Sequence, residues 1–205
     1  MKDAKGKRLF SAALILCLVL ICALCWSGGQ NTDAAGASSM LENASLSMRV
    51  DEDGAIWIDG EGMLSVADMN ALLNANQVKS HQVNDMILAD GITGLGFNAI
   101  NGMTYLETLK LGSGMAVVEN GAVKNCTALK YVFVPAGIER LGRDFLYRSV
   151  DAFVVTDGDA REMPKMKQVP ADQVLDGIDS FETLVQRRGE LDLEEVPEAC
   201  RRWWQ

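Results

Sequence analysis

The sequence predicts a repeat solenoid: a stack of about four short units with a parallel β-sheet face, led by an N-terminal β segment and closed by a helical or irregular C-terminal cap. Three observations predict it. Gly91, Gly114 and Gly137 recur at a step of 23 residues. Apolar anchors keep that step, in Ile92, Met115 and Ile138, in Leu95, Val118 and Leu141, and in Leu106 and Leu129. Before two of the glycines stands a short apolar alternation, Leu109 and Leu111 in one unit and Val132 and Val134 in the next. A sustained period in this range marks units that cannot bury their apolar faces alone and must stack to make a core.

The chain opens with Lys2, Lys5, Lys7 and Arg8, followed by an uncharged run from Leu9 to Trp26. A basic segment ahead of an apolar one is the layout of an export signal, and this run is also long enough to span a bilayer if it is kept. Residues 1–26 are therefore expected to be a signal peptide or transmembrane anchor, with the rest outside the cytoplasm in either case. Residues 27–46, rich in Gly, Ser, Ala and Asn, read as a flexible linker.

The repeat domain is expected over 47–158. Its first clear unit runs from Ile92 to Gly114, and Leu106-Glu107-Thr108-Leu109-Lys110-Leu111 has the L-x-x-L-x-L spacing of a leucine-rich-repeat strand. The alternation of Leu109 and Leu111 is the period of two that a half-buried strand needs. The second unit, Met115 to Gly137, carries Leu129, Val132 and Val134. The third starts at Ile138 and is read as two residues short before its strand, which turns Phe153 and Val155 inward and Ala152 and Val154 outward. A degraded unit fits Met69 to Gly91, with Leu72, Val83, Met86 and Leu88 in register. The recurring glycine is expected at positive φ, where the chain leaves the sheet.

After Gly158 the chain changes character, and 159–205 is expected to cap the array. Asp179-Ser180-Phe181-Glu182 can start a capped helix with Phe181, Leu184 and Val185 on one face and Gly189 at its end. Pro197 and the following Glu198 to Trp204 read as a further short helix or an extended end.

The units resemble the BspA-like leucine-rich-repeat family of bacterial surface-type proteins. Ile138-Glu139-Arg140-Leu141-Gly142 matches the opening of that repeat, Asn125-Cys126-Thr127-Ala128-Leu129 its C-x-x-L step, and Val134-Pro135 its end. Phe145 fills the aromatic position, where Ile100 and Val123 stand in the other units, and Leu111-Gly112 lacks the proline. Asp53 to Met63 resembles the β segment that leads into such arrays. The resemblance spans about residues 47–158 and implies a leucine-rich-repeat domain of a surface protein.

Charge narrows the partners. The 205 residues carry a net charge of −9. Four of the 19 basic residues but only one of the 28 acidic ones fall in the first 26, leaving 15 basic against 27 acidic beyond them. That balance opposes nucleic acid, and membrane contact is expected only through the N-terminal apolar run if uncleaved. Catalytic parts are sparse. His81 is the single histidine, in a polar stretch, and no triad, HExxH or phosphate-loop motif occurs. The expectation is a protein that is not an enzyme and needs no cofactor. Asp51-Glu52-Asp53-Gly54 and Asp157-Gly158-Asp159 offer carboxylates at calcium-turn spacing, but acidic residues beside Gly are also ordinary turn formers, and no metal site is assigned. Cys126 falls on a core position; a disulfide to Cys200 has no support from spacing.

The candidate site is the outward column of the strands. If Leu109 and Leu111 face in, then Thr108 and Lys110 face out, with Ile87 before them and Tyr131, Phe133 and Val154 after. Aromatic side chains give large contact area with few rotors, so Tyr131 and Phe133 are the expected anchors for a protein or glycan partner. Two alternatives stand beside this: the tail folds over the same face, or the domain is a structural subunit of an envelope-associated assembly.

Overall fold

The structure, a computed structural model, describes residues 45–149, 151–163, 166–190 and 196–205. The expected leader and all but the last two residues of the expected linker lie outside these. Among the described residues no helix is long and apolar enough to cross a membrane.

β1 (Ser47–Val50) and β2 (Ile56–Asp59) form an antiparallel hairpin. From β2 the chain winds in coils. The first holds β2, β3 (Gly62–Leu64) and α1 (Val66–Ala75). The second holds β4 (Asp85–Leu88), β5 (Ile92–Leu95) and β6 (Ile100–Asn101). The third holds β7 (Thr108–Lys110), β8 (Val117–Val118) and β9 (Val123–Lys124). The fourth holds β10 (Tyr131–Phe133), β11 (Arg140–Leu141) and β12 (Leu146–Tyr147). β13 (Phe153–Val155) and β14 (Val174–Leu175) follow. Stacked coils build three sheets, ordered β1-β2-β4-β7-β10-β13-β14, β11-β8-β5-β3 and β12-β9-β6. Apart from β1 with β2, every pair is parallel.

The fold is thus a β-solenoid of about four turns, as the period predicts, with one difference. A single parallel sheet is expected, but the linking segments also pair from coil to coil and make two narrower sheets. The reason lies in the same anchors. Leu95, Val118 and Leu141 are buried one above another in the second sheet, and Ile100 and Val123 in the third. Each stretch is locked in register and extended enough to satisfy its backbone groups in a ladder.

The core lies inside the coils. Leu106, Leu109, Val132, Val118 and Cys126 are wholly inaccessible there. Burial of such side chains contributes about 1.5–3 kcal/mol each relative to exposure. Polar groups repeat between coils as well. Asp85 Oδ1 accepts from Thr108 Oγ1 at 2.7 Å, Asp90 Oδ1 from the Ser113 N–H at 2.8 Å, and Asn120 Oδ1 from the Arg143 N–H at 2.7 Å. At the far end Met163 and Met166 reach back into the inner core and close it.

Three details correct the sequence reading. Gly91 and Gly114 are not at positive φ. They are glycines because coils touch there: a Cβ on Gly114 would stand 2.0 Å from the Asp90 carbonyl oxygen, and one on Gly91 2.1 Å from that of Gly60. The left-handed turn sits instead at the end of each strand of the third sheet, in Gly102 (φ 71°), Asn125 (φ 55°) and Arg148 (φ 58°). Second, Val132 pairs with Val154 and Phe133 with Val155, so the last unit is one residue short, not two. Third, the degraded first unit contains a helix. Ser65 caps α1 by accepting from the Asp68 N–H at 3.1 Å, and the Asp68 carboxylate accepts from the Ser65 N–H at 3.1 Å. Met69 and Leu72 pack from that helix onto the core.

Candidate functional site

The parallel ladder aligns the outward residues of the wide sheet in columns. One runs Asp85, Thr108, Tyr131, Phe153, and the other Trp57, Ile87, Lys110, Phe133, Val155, Leu175. Ile87, Thr108, Lys110, Tyr131 and Phe133 therefore share the outer side of the sheet. Val154 does not: it is fully buried in the inner core opposite Val132, and Val155 takes the outward place.

The face is not open. Ile178, Phe181, Leu184, Val196, Cys200 and Trp203 cover it and form a second apolar cluster with Ile87, Tyr131, Phe133, Val155 and Leu175. Tyr131 is 2% exposed, Phe133 7% and Thr108 1%. This corrects the candidate site: the six residues Tyr131, Phe133, Lys110, Thr108, Ile87 and Val154 are not presented to solvent as a binding surface. The physical reason is the apolar column itself. A sheet face carrying Trp57, Ile87, Phe133 and Val155 is stabilised by covering, and the chain's own tail does so.

The covering segment is built for the task. α2 (Phe181–Glu190) starts where Ser180 Oγ accepts from the Thr183 N–H at 3.1 Å. It buries Phe181, Leu184 and Arg188 and leaves Val185 exposed, so the expected apolar face is rotated away from Val185. Arg188 stacks its guanidinium 4.0 Å from the Phe153 ring centre and 5.3 Å from that of Tyr131. A short 3-10 helix, Glu198–Trp204, brings Trp203 and Trp204 each to 5.8 Å from the Phe133 ring centre. Lys110 Nζ donates to the Trp203 carbonyl oxygen, and burial lowers the Lys110 pKa, the Asp90 charge opposing it. Burial likewise raises the Asp85 carboxyl, against the Thr108 hydrogen bond.

The two acidic clusters are occupied by protein groups. Asp51 accepts from the Ala55 N–H at 2.8 Å and from Trp57 Nε1 at 3.0 Å. Arg202 reaches Asp51 at 3.7 Å and Asp53 at 2.7 Å. Burial raises the Asp51 pKa, but these hydrogen bonds and Arg202 outweigh it and hold the carboxyl below its usual range. Asp157 accepts from the Ala136 N–H at 2.8 Å. Asp159 pairs with Arg161, whose hydrogen bonds pull its pKa down to about 2. Cys126 and Cys200 are free thiols on opposite sides of the wide sheet, one in the inner core and one on the tail, turned into the outer apolar cluster. His81 lies exposed on a 3-10 turn.

The surface left open is on the other two sheets. Tyr147 (42% exposed) stands on β12, Phe97 (58%) in the turn between β5 and β6, and Tyr105 is exposed ahead of β7. At the end of the array a groove of about 400 Å³ runs along β12, lined by Phe145, Leu146, Tyr147, Ala152, Val169 and Pro170 among others. The sequence reading missed it because the groove is made by a strand edge and by the returning segment Gln168–Gln173, which no local pattern brings together.

No family model matches the chain, and no curated protein matches it. Among solved structures it is similar to a leucine rich cell surface protein from Faecalibacterium prausnitzii A2-165, at 7% sequence identity and a TM-score of 0.36, over 69% of this chain. The match covers 43% of that protein, so this chain spans less than half of its length. The fold assignment rests on the strand order and register described above, not on this likeness.

Proposed function

We propose that the chain is an exported, cell-surface-associated leucine-rich-repeat protein of the BspA-like kind that binds a protein or glycan partner. The observation that carries this is the solenoid of stacked 23-residue units, with the wide sheet closed by its own tail and aromatic side chains displayed elsewhere. Arrays of this kind present extended surfaces, and their function resides in what stands on those surfaces. Phe97, Tyr105 and Tyr147 are the side chains suited to contact, since a ring desolvates much area at small entropic cost. The basic residues before the apolar run Leu9–Trp26 support export.

Intact cells treated with a membrane-impermeant amine label should yield labelled protein, and photo-crosslinking on the same cells should capture the partner. The variant Phe97→Ala, Tyr147→Ala should lose the crosslink while remaining at the surface. Protein that is labelled only after lysis rejects the reading.

A further inference from the structure

Among the described residues, the fourth coil ends in a strand edge, β12, that pairs on one side only. In the three-stranded sheet, N–H groups of each coil donate to carbonyls of the next. Ile100 donates to Ala122 and Gly102 to Lys124; one coil on, Val123 donates to Phe145 and Asn125 to Tyr147. The next equivalents are Leu146 and Arg148, and their N–H groups have no partner among the described residues. The edge is therefore a template for one more parallel strand. The groove beside it takes side chains from such a strand: Leu146 packs onto the inner core, and Phe145, Ala152, Val169 and Pro170 line the space around it.

Charge chooses the occupant. The charged residues lining the groove are Arg143, Arg148 and a single acid, Asp144, in a chain whose net charge is −9. Lys124 Nζ and the Arg148 guanidinium both stand 5.4 Å from the Tyr147 ring centre, on the outer side of the edge. Arg148 also holds a left-handed backbone that the two preceding coils give to Gly102 and Asn125. A bulky cation kept at a position that disfavours it points to a use for its side chain.

We propose that the β12 edge binds an extended acidic peptide as an added parallel strand. Its carbonyls accept from the Leu146 and Arg148 N–H groups. Alternate apolar side chains enter the groove, and the carboxylates between them face Arg143, Arg148 and Lys124. Main-chain pairing supplies affinity and the alternation supplies specificity, as in other strand-addition sites. The proposal rests on reading the chain as a binding module, and names the partner chemistry of one part of its surface.

The test uses the full chain and a short labelled peptide in which glutamate and leucine alternate. Saturable binding is expected, weakened about tenfold or more by Arg143→Glu with Arg148→Glu, a loss of about 1.4 kcal/mol, and weakened as salt rises. Hydrogen exchange at the Leu146 and Arg148 amides should slow on binding. A proline placed in the centre of the peptide should abolish both effects. Binding that leaves these amides unprotected, or that the double reversal does not change, overturns the proposal, as does no binding at all. Concentration-dependent self-association that protects the same amides without peptide assigns the edge to a second copy and overturns it too. Surface labelling of cells is independent of this result. A labelled surface protein that ignores the peptide fails here alone, and a peptide-binding protein absent from the surface fails the preceding reading alone.

Discussion

Phe133 and Trp203 meet ring to ring, with centroids 5.8 Å apart and planes inclined by 56°. The contact joins the last residue of β10, on the outer face of the wide sheet, to the 3-10 helix Glu198–Trp204, and Lys110 Nζ donates to the Trp203 carbonyl oxygen. A solenoid sheet whose outer column is apolar must be covered by a partner or by its own chain. Here the C-terminal segment does it, and the aromatic pair adds about 0.5–1.5 kcal/mol beyond its area.

Trp203→Ala should therefore loosen the tail before the array. Truncating a buried Trp costs about 3–5 kcal/mol and a buried Leu about 2–5 kcal/mol, but the two losses fall on different units. In Trp203→Ala, limited proteolysis should cut within 178–205 while amide exchange in β7 and β10 stays slow. Leu109→Ala should speed exchange across all coils. A tail that stays resistant in Trp203→Ala would show that this contact does not hold it down.

The solenoid was legible because its inward anchors repeat at a fixed step, and Leu109 and Val132 need no tertiary knowledge to be placed. The last strand was not. Phe153, Val154 and Val155 are all apolar, because the sheet is covered on both sides there, so alternation cannot say which of them faces in. The helix α1 carried a readable start in Ser65-Val66-Ala67-Asp68, but the repeat register of Met69 and Leu72 fits a coil equally well. The cover on Tyr131 and Phe133 depends on a chain reversal beyond Gly158, and no spacing encodes that. The β12 edge is invisible for the same reason: which strand stands last in the three-stranded sheet among the described residues is a fact of stacking.

Asp85 gives a pH signature. Burial holds its folded pKa above its unfolded value, with the Thr108 hydrogen bond and Arg202 acting against that. The native state then binds more protons than the unfolded one between the two pKa values. This group's contribution is at its most favourable below the unfolded pKa and is lost as pH rises through the folded one. Asp85→Asn keeps an acceptor for Thr108 and removes the charge. It should be more stable than the parent at neutral pH, and the difference should vanish as pH falls below about 4, the ordinary carboxylate range. Urea titrations at several pH values measure it, and a gap that widens in acid would reverse the sign and reject the argument.

Arg148→Gly should weaken recognition while leaving stability nearly unchanged. A left-handed non-glycine residue costs about 1–2 kcal/mol, and glycine's extra freedom in the unfolded chain returns about 0.5–1 kcal/mol of that. The contact with Tyr147, about 0.5–1 kcal/mol at an exposed site, is lost as well, so the terms nearly cancel. Calorimetry should show little change in Tm, alongside weaker binding of the acidic peptide. A clear fall in Tm would show that the Arg148 side chain holds the turn.

The two free cysteines among the described residues, Cys126 and Cys200, report on the two layers separately. Burial pushes the Cys126 thiol up to about 11, against weaker backbone hydrogen bonds. Burial pushes Cys200 up further, and the Asp85 charge adds to it. The thiolate is the reactive form, so both should resist a thiol reagent at pH 8 in the native protein and react only when an opening exposes them. Cys200 needs only the tail to lift, because it lies in the outer cluster. Cys126 needs the coils to part, because it lies in the inner one and its N–H is held by Ser149 of the next coil. Peptide mapping by mass spectrometry separates both from Cys17, Cys22 and Cys25. Cys200 should label faster than Cys126, Trp203→Ala should accelerate Cys200 alone, and Leu109→Ala should accelerate both. Equal rates for the two thiols in every variant would mean that tail and array open as one unit, and that the tail is part of the fold's cooperative core, not a cover laid on it.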